Sequence, residues 1–293
     1  MPFVQSHAPS QLQSVSLDVF AAGLAERGAP VESAALFRWS DQPSVHLLRF
    51  PDRGAQAAAL TRLSLFLEDA ALRGVVASTL PTGKRGGAAA YSGHNCRLVD
   101  AARFFDAAVS SLSPAEEALR TLLCSARLLT RTASGKHAAQ PTASVLALPR
   151  GLPRAEASST LLHEAMHGLF YASPSFAAAV ARFWRDAMSE QQRDTWRSFL
   201  AGLGYDASDE ELSINELQAY MATESELFGC AAGGRKAKRR GGGLSPAAEH
   251  ELAAIQITFE AALAAHVPRP LPRLQNAECV CWAANGGPLR LPG

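Results

Sequence analysis

The stretch Ser158-Ser159-Thr160-Leu161-Leu162-His163-Glu164-Ala165-Met166-His167-Gly168-Leu169-Phe170 carries two patterns at once. The apolar pairs Leu161/Ala165, Leu162/Met166 and Ala165/Leu169 are four residues apart, the spacing of neighbours along one stripe of an α-helix. His163 and His167 share that spacing, so both imidazoles leave the helix on one side, about 40° apart around its axis. Two neutral imidazoles so placed can reach one tetrahedral zinc ion at about 2.0–2.1 Å each. Glu164 then points beside the ion, where a general base takes a proton from a water whose pKa zinc has lowered to about 7. Two histidines and a glutamate among apolar neighbours are costly to bury unless something pairs them. The pattern therefore favours a metal site over a core helix with incidental histidines.

Outward from this stretch, the second half of the chain reads as helical. The motif helix should run from about 153 to 172, where Ser173-Pro174 stops it and starts another that reaches about 188. A third should cover 190–203 and end at Gly204. Ser208-Asp209-Glu210-Glu211 has the S-x-x-E form of a capping box and should open a helix lasting to Gly229. A last helix is expected over 246–266. The first half reads as mixed. Short strands are expected at Val45–Phe50 and 144–148, and helices at 54–72, 97–110 and 114–130, the last with Ser113 as N-cap and Pro114 at its first position. The glycine-rich residues 81–95 read as a loop, and Thr82-Gly83-Lys84 lacks the frame of a phosphate loop. The fold class expected is α+β. Its parts would be an N-terminal α/β subdomain over 1–152, a helical subdomain over 153–268, and a Pro-rich tail over 269–293. A glycine-flanked basic run at 233–243 reads as a solvated, dispensable insertion.

A catalytic zinc site takes three protein ligands and keeps one position open. The extension H-E-x-x-H-x-x-G-x-x-H needs glycine at 170 and histidine at 173, which are Phe170 and Ser173 here. The third ligand must come from elsewhere. Asn215-Glu216-Leu217-Gln218-Ala219-Tyr220 places a carboxylate in mid-helix, flanked by Ile214 and Leu217. No Lys or Arg occurs from Ala201 to Gly234 to neutralise it, and a metal would. Asp209, Glu210 and Glu211 complement the helix N-terminus and already have a reason to be there. Glu224 and Glu226 lie near the expected helix end and stay open, with Glu224 the next candidate.

Over the helix around His163 and the helix around Glu216, the sequence resembles the zincin metallopeptidases of the glutamate-ligand type, the gluzincins. The resemblance covers those two helices and not the whole chain. It implies a zincin-like fold with a small N-terminal sheet over the active-site helix, a helical lower subdomain, and a cleft between them. It implies one Zn2+ held by His163, His167 and Glu216, with Glu164 as catalytic base and 144–148 as the edge strand that pairs with extended substrate. The interval from the motif to Glu216 is longer than in thermolysin-like members and looks more like the lethal-factor group. Thermolysin-like members carry an aspartate four residues after the ligand glutamate, where this chain has Tyr220. Tyr220 either orients a ligand histidine or is a half-buried aromatic. The implied activity is zinc-dependent hydrolysis of peptide bonds, endopeptidase rather than exopeptidase, on peptide or protein substrates. The alternative is a catalytically silent zinc-binding regulatory protein of the same fold.

The remaining residues mainly exclude. A net charge of +1 gives no global field to attract nucleic acid or an acidic membrane. No apolar stretch approaches the roughly 18 residues of a bilayer span, and the first residues lack the pattern of a secretory leader. An intracellular, cytoplasmic protein is expected. Five scattered cysteines argue against a disulfide framework, and Cys279-Val280-Cys281 reads as two tail cysteines rather than a metal pair. His94, which follows the glycine loop, either reaches the cleft or is a satisfied loop histidine, and the second reading is favoured. Tyr171 and Tyr205 could donate to an oxyanion, with nothing in the sequence to place them.

Overall fold

A computed structural model describes residues 12–26, 33–79, 92–223 and 245–266, together with the short strands at 281–282 and 288–289. The basic run 233–243, Glu224, Glu226 and Cys279 lie outside the described residues. The first half comprises β1 (Ser14–Val15), α1 (Leu17–Ala25), β2 (Ala35–Trp39), β3 (Val45–Phe50), α2 (Arg53–Glu68), β4 (His94–Arg97), α3 (Leu98–Ala107), α4 (Pro114–Ser125), the small hairpin β5 (Thr130–Arg131) and β6 (His137–Ala138), and β7 (Ser144–Pro149). Helices follow: α5 (Arg154–Ala172), α6 (Pro174–Arg182) leading into a π-helical turn at Phe183–Ala187, α7 (Glu190–Leu203), α8 (Glu210–Thr223) and α9 (Pro246–His266). Strands β8 (Cys281–Trp282) and β9 (Pro288–Leu289) pair antiparallel. The architecture is α+β, a five-stranded mixed sheet followed by a mainly helical region.

The sheet order is β1-β2-β3-β7-β4. β3 and β7 pair in parallel at its centre, and β4 pairs antiparallel with β7 at one edge. The central strands read as continuous apolar runs because both of their faces are covered. Alternate residues sort to opposite sides, as a period of two requires. Leu48, Phe50, Val145 and Ala147 pack with α2, α3 and α4, while Val45, Leu47, Leu146 and Leu148 pack with α1 and α5. The resemblance placed the edge strand at 144–148. That is corrected here: β7 is interior, and β4 is the edge.

α5 lies on the sheet through Ala157, Leu161 and Ala165, and turns Met166 and Phe170 toward the helical region. Burial of Leu161, Met166 and Phe170 contributes about 1.5–3 kcal/mol each. The close approach depends on Gly168, since a Cβ there would lie 2.9 Å from Val45 Cγ1 and 3.3 Å from Leu146 Cδ1. On its other side α5 packs against α8, which α7 and α9 hold in turn. Trp196 of α7 donates its indole N–H to Ser213 O at 2.8 Å, and its ring meets Tyr220 edge-on.

Several boundaries differ from expectation for identifiable reasons. α2 stops at Glu68, not 72, because Asp69 Oδ1 accepts from the Ala71 and Leu72 N–H groups and turns the chain away. α4 has the expected Ser113 cap, here in a capping box with Glu116, but ends at Ser125, before Arg127 takes a left-handed φ of 59° and the chain enters β5. Residues 94–97 form a strand instead of continuing the loop, so the helix expected from 97 starts at Leu98; α3 ends at Ala107, short of the expected 110. Ser208 is not the cap of α8. Asp209 accepts from Leu212 N–H at 2.9 Å, Ser208 bonds Asp206, and Glu211 reaches Arg97 at 2.8 Å. α1 and β2 were not anticipated. Among the described residues no helix is long and apolar enough to cross a membrane.

Candidate metal centre

His163 and His167, one turn apart on α5, bring their Nε2 atoms to 3.2 Å. Glu216 comes across from α8, with its carboxylate oxygens 3.9 Å from His163 Nε2 and 3.7 Å from His167 Nε2. Tetrahedral bonds of about 2.0–2.2 Å would separate neighbouring ligand atoms by about 3.3–3.5 Å, close to these distances. Glu216 Oε2 is buried with no hydrogen-bond partner among the described residues. Burial, and then Glu68 and Glu164 beside it, push the Glu216 carboxyl well above its ordinary value. Burial pushes His167 down to about 4, only partly offset by Asn215, so its ring stays neutral. Two imidazoles and a buried carboxylate facing one point, with no Lys or Arg among them, suit a divalent metal. His163, His167 and Glu216 form a group that could hold such an ion.

Glu164 belongs to the same cavity, of about 30 Å3, but points beside the three. Its Oε2 accepts from Asn95 Nδ2 at 2.9 Å. Burial pushes its carboxyl up to about 7, against the lowering effect of that bond. Asn95 is itself held, because Tyr171 donates its hydroxyl to Asn95 Oδ1 at 3.1 Å and accepts from Asn215 Nδ2 at 2.8 Å. A polar chain thus runs from Glu164 through β4 and α5 to Asn215, next to Glu216 on α8. Gly93 admits this packing. A Cβ there would lie 2.6 Å from Glu164 Oε1 and 2.8 Å from Thr160 Cγ2.

The other residues singled out from sequence divide clearly. The Tyr220 ring packs edge-on to the His163 ring, 4.9 Å between centroids, and against Phe199. It is both the buried aromatic and a neighbour of the histidine. Tyr171 is committed to Asn95 and Asn215. Tyr205 lines the cavity with His163, Glu164 and Glu216. Burial holds the Tyr205 phenol well above its ordinary value, so it stays protonated. His94 is a strand residue, buried, with Nδ1 2.7 Å from Ser64 Oγ. Burial pushes it down to about 3. Asp209, Glu210 and Glu211 are engaged elsewhere, by Arg73, Trp184 and Arg97.

Sequence reasoning missed Gly93, Asn95 and Glu68. The first two sit in a stretch whose glycines signalled only a loop. Glu68 closes α2 and lines the cavity of the candidate centre as well as a neighbouring one. Burial and the nearby Glu164 push its carboxyl up to about 8, against Arg73. No motif or spacing marks it.

No protein-family model, no curated protein and no solved structure matches the chain.

Proposed function

We propose that the chain is a zinc-dependent peptidase of zincin-like fold, with His163, His167 and Glu216 as the metal ligands and Glu164 as the general base. One observation carries the reading. Two histidines a turn apart and a buried, cation-free glutamate from a second helix converge, and the intervening Glu164 lines the same cavity on a fixed hydrogen bond. The sheet above α5 and the helical region that supplies Glu216 support the zincin-like part of the reading. An HHE donor set with room for water suits zinc in its catalytic rather than its closed structural form.

When bound, zinc supplies a Lewis acid that acidifies water and polarises a carbonyl. Glu164, held by Asn95, takes a proton from the attacking water and passes it to the leaving amine as the C–N bond breaks. Tyr205, a protonated phenol on the cavity wall, donates to the developing carbonyl oxyanion. β4 offers a place for extended substrate. It is the sheet edge next to Glu164, and among the described residues no strand pairs with its outer side.

The test is metal analysis of the purified chain with a mixed-peptide cleavage screen. One zinc per chain and hydrolysis are expected. Glu164→Gln should keep the zinc and lose turnover by about 10²-fold or more. Zinc binding with no cleavage of any peptide would instead favour the silent, partner-binding alternative.

A further inference from the structure

Beside the 30 Å3 cavity of the candidate centre lies a larger one of about 510 Å3, and Glu68 and Asn95 line both. The small cavity has the room of about one water molecule, too little for a peptide side chain, and the larger one adjoins it at Glu68 and Asn95. The larger cavity is strongly charged, yet its three arginines are already taken. Arg97 bonds Asp100 at 2.6 Å and Glu211 at 2.8 Å, Arg103 bonds Asp100 at 3.0 Å, and Arg73 pairs with Asp206 and Asp209. Each acid named there has a basic partner. Glu68 differs: among the described residues its carboxylate makes no hydrogen bond or ion pair. An inward carboxylate without a partner is costly to keep.

We propose that Glu68 is the specificity residue of a subsite for a cationic group of the peptide substrate, an ammonium or guanidinium bound beside the scissile bond. The inference rests on the peptidase reading above. The cation can come from the peptide's N-terminus or from a lysine or arginine side chain. The cavity volume accommodates either.

The experiment measures binding, so that it does not depend on turnover. The full chain carrying Glu164→Gln is titrated with matched hexapeptides. One set has a free or acetylated N-terminus, and another has lysine or norleucine at each position in turn. One cationic form should bind about ten-fold or more tightly than its neutral match, and the set that shows this identifies the source. Adding Glu68→Gln should abolish the preference, and Glu68→Asp, which keeps the charge, should retain part of it. Equal binding of matched peptides, no binding of any, or a preference that survives Glu68→Gln overturns the inference. Should Glu68→Gln fail to fold, the matched sets on the Glu164→Gln chain still decide. Hydrolysis by the unsubstituted chain is followed separately. Cleavage without charge preference leaves the peptidase and removes the subsite, whereas charge-selective binding without cleavage does the reverse.

Discussion

Asn95 donates its side-chain amide to Glu164 at 2.9 Å, joining the edge strand of the sheet to the residue that lies between His163 and His167 in sequence. The bond makes the strand part of the site rather than only a neighbour of it. Tyr171 and Asn215 hold Asn95 from behind, so the orientation of Glu164 is set by residues on three elements.

Gly93→Ala tests how closely that orientation matters. The new methyl would stand 2.6 Å from Glu164 Oε1, forcing the carboxylate or the strand to move. A misplacement of about 1 Å at a catalytic group can cost about 10²-fold in rate. A fall of that size in kcat/KM with metal content unchanged is expected. Unaltered kinetics would mean that Glu164 does not need the position it holds.

Gly168→Ala should act on stability. The added methyl meets Val45 Cγ1 at 2.9 Å, inside the seam between α5 and the sheet. Overpacking of this kind costs about 1–3 kcal/mol. Urea unfolding of the metal-free chain should show the loss as a lower midpoint with little change in slope. A neutral result would show that α5 can lift from the sheet without cost.

His94 makes stability depend on pH. Its folded pKa is pushed down to about 3 by burial, against about 6.5 in an unfolded chain. The unfolded chain therefore binds the extra proton first. The contribution is intact above about pH 6.5 and is lost as pH falls toward 3, reaching about 2 kcal/mol by pH 5. His46, lowered by burial in β3, acts in the same direction. Metal-free His94→Gln should show a flatter fall in unfolding free energy between pH 7 and 5. An identical slope would show that His94 takes up its proton without unfolding.

What could be read from the chain alone follows physical lines. α5 was legible because its apolar stripe and its two histidines share one period, and α7 because Gly204 ends it. Glu216 was legible by charge, since no cation lies near it in sequence. β4 was hidden because glycines precede it and only four residues pair. Glu68 was hidden for a different reason. Its significance lies in side chains it meets across the fold, Glu164 among them, and an acid at a helix end otherwise looks solvated. Ser208 misled because three acids follow it and either Ser208 or Asp209 can cap, and Ser208 is drawn to Asp206 instead.

The most direct measurement is zinc affinity against a competing chelator for the unsubstituted chain and for His163→Ala, His167→Ala and Glu216→Ala. One zinc per chain is expected in the unsubstituted protein, with affinity falling by orders of magnitude in each variant while Glu211→Ala binds normally. Stoichiometric zinc retained by Glu216→Ala under the chelator would contradict the assignment of the third ligand and, with it, the centre described here.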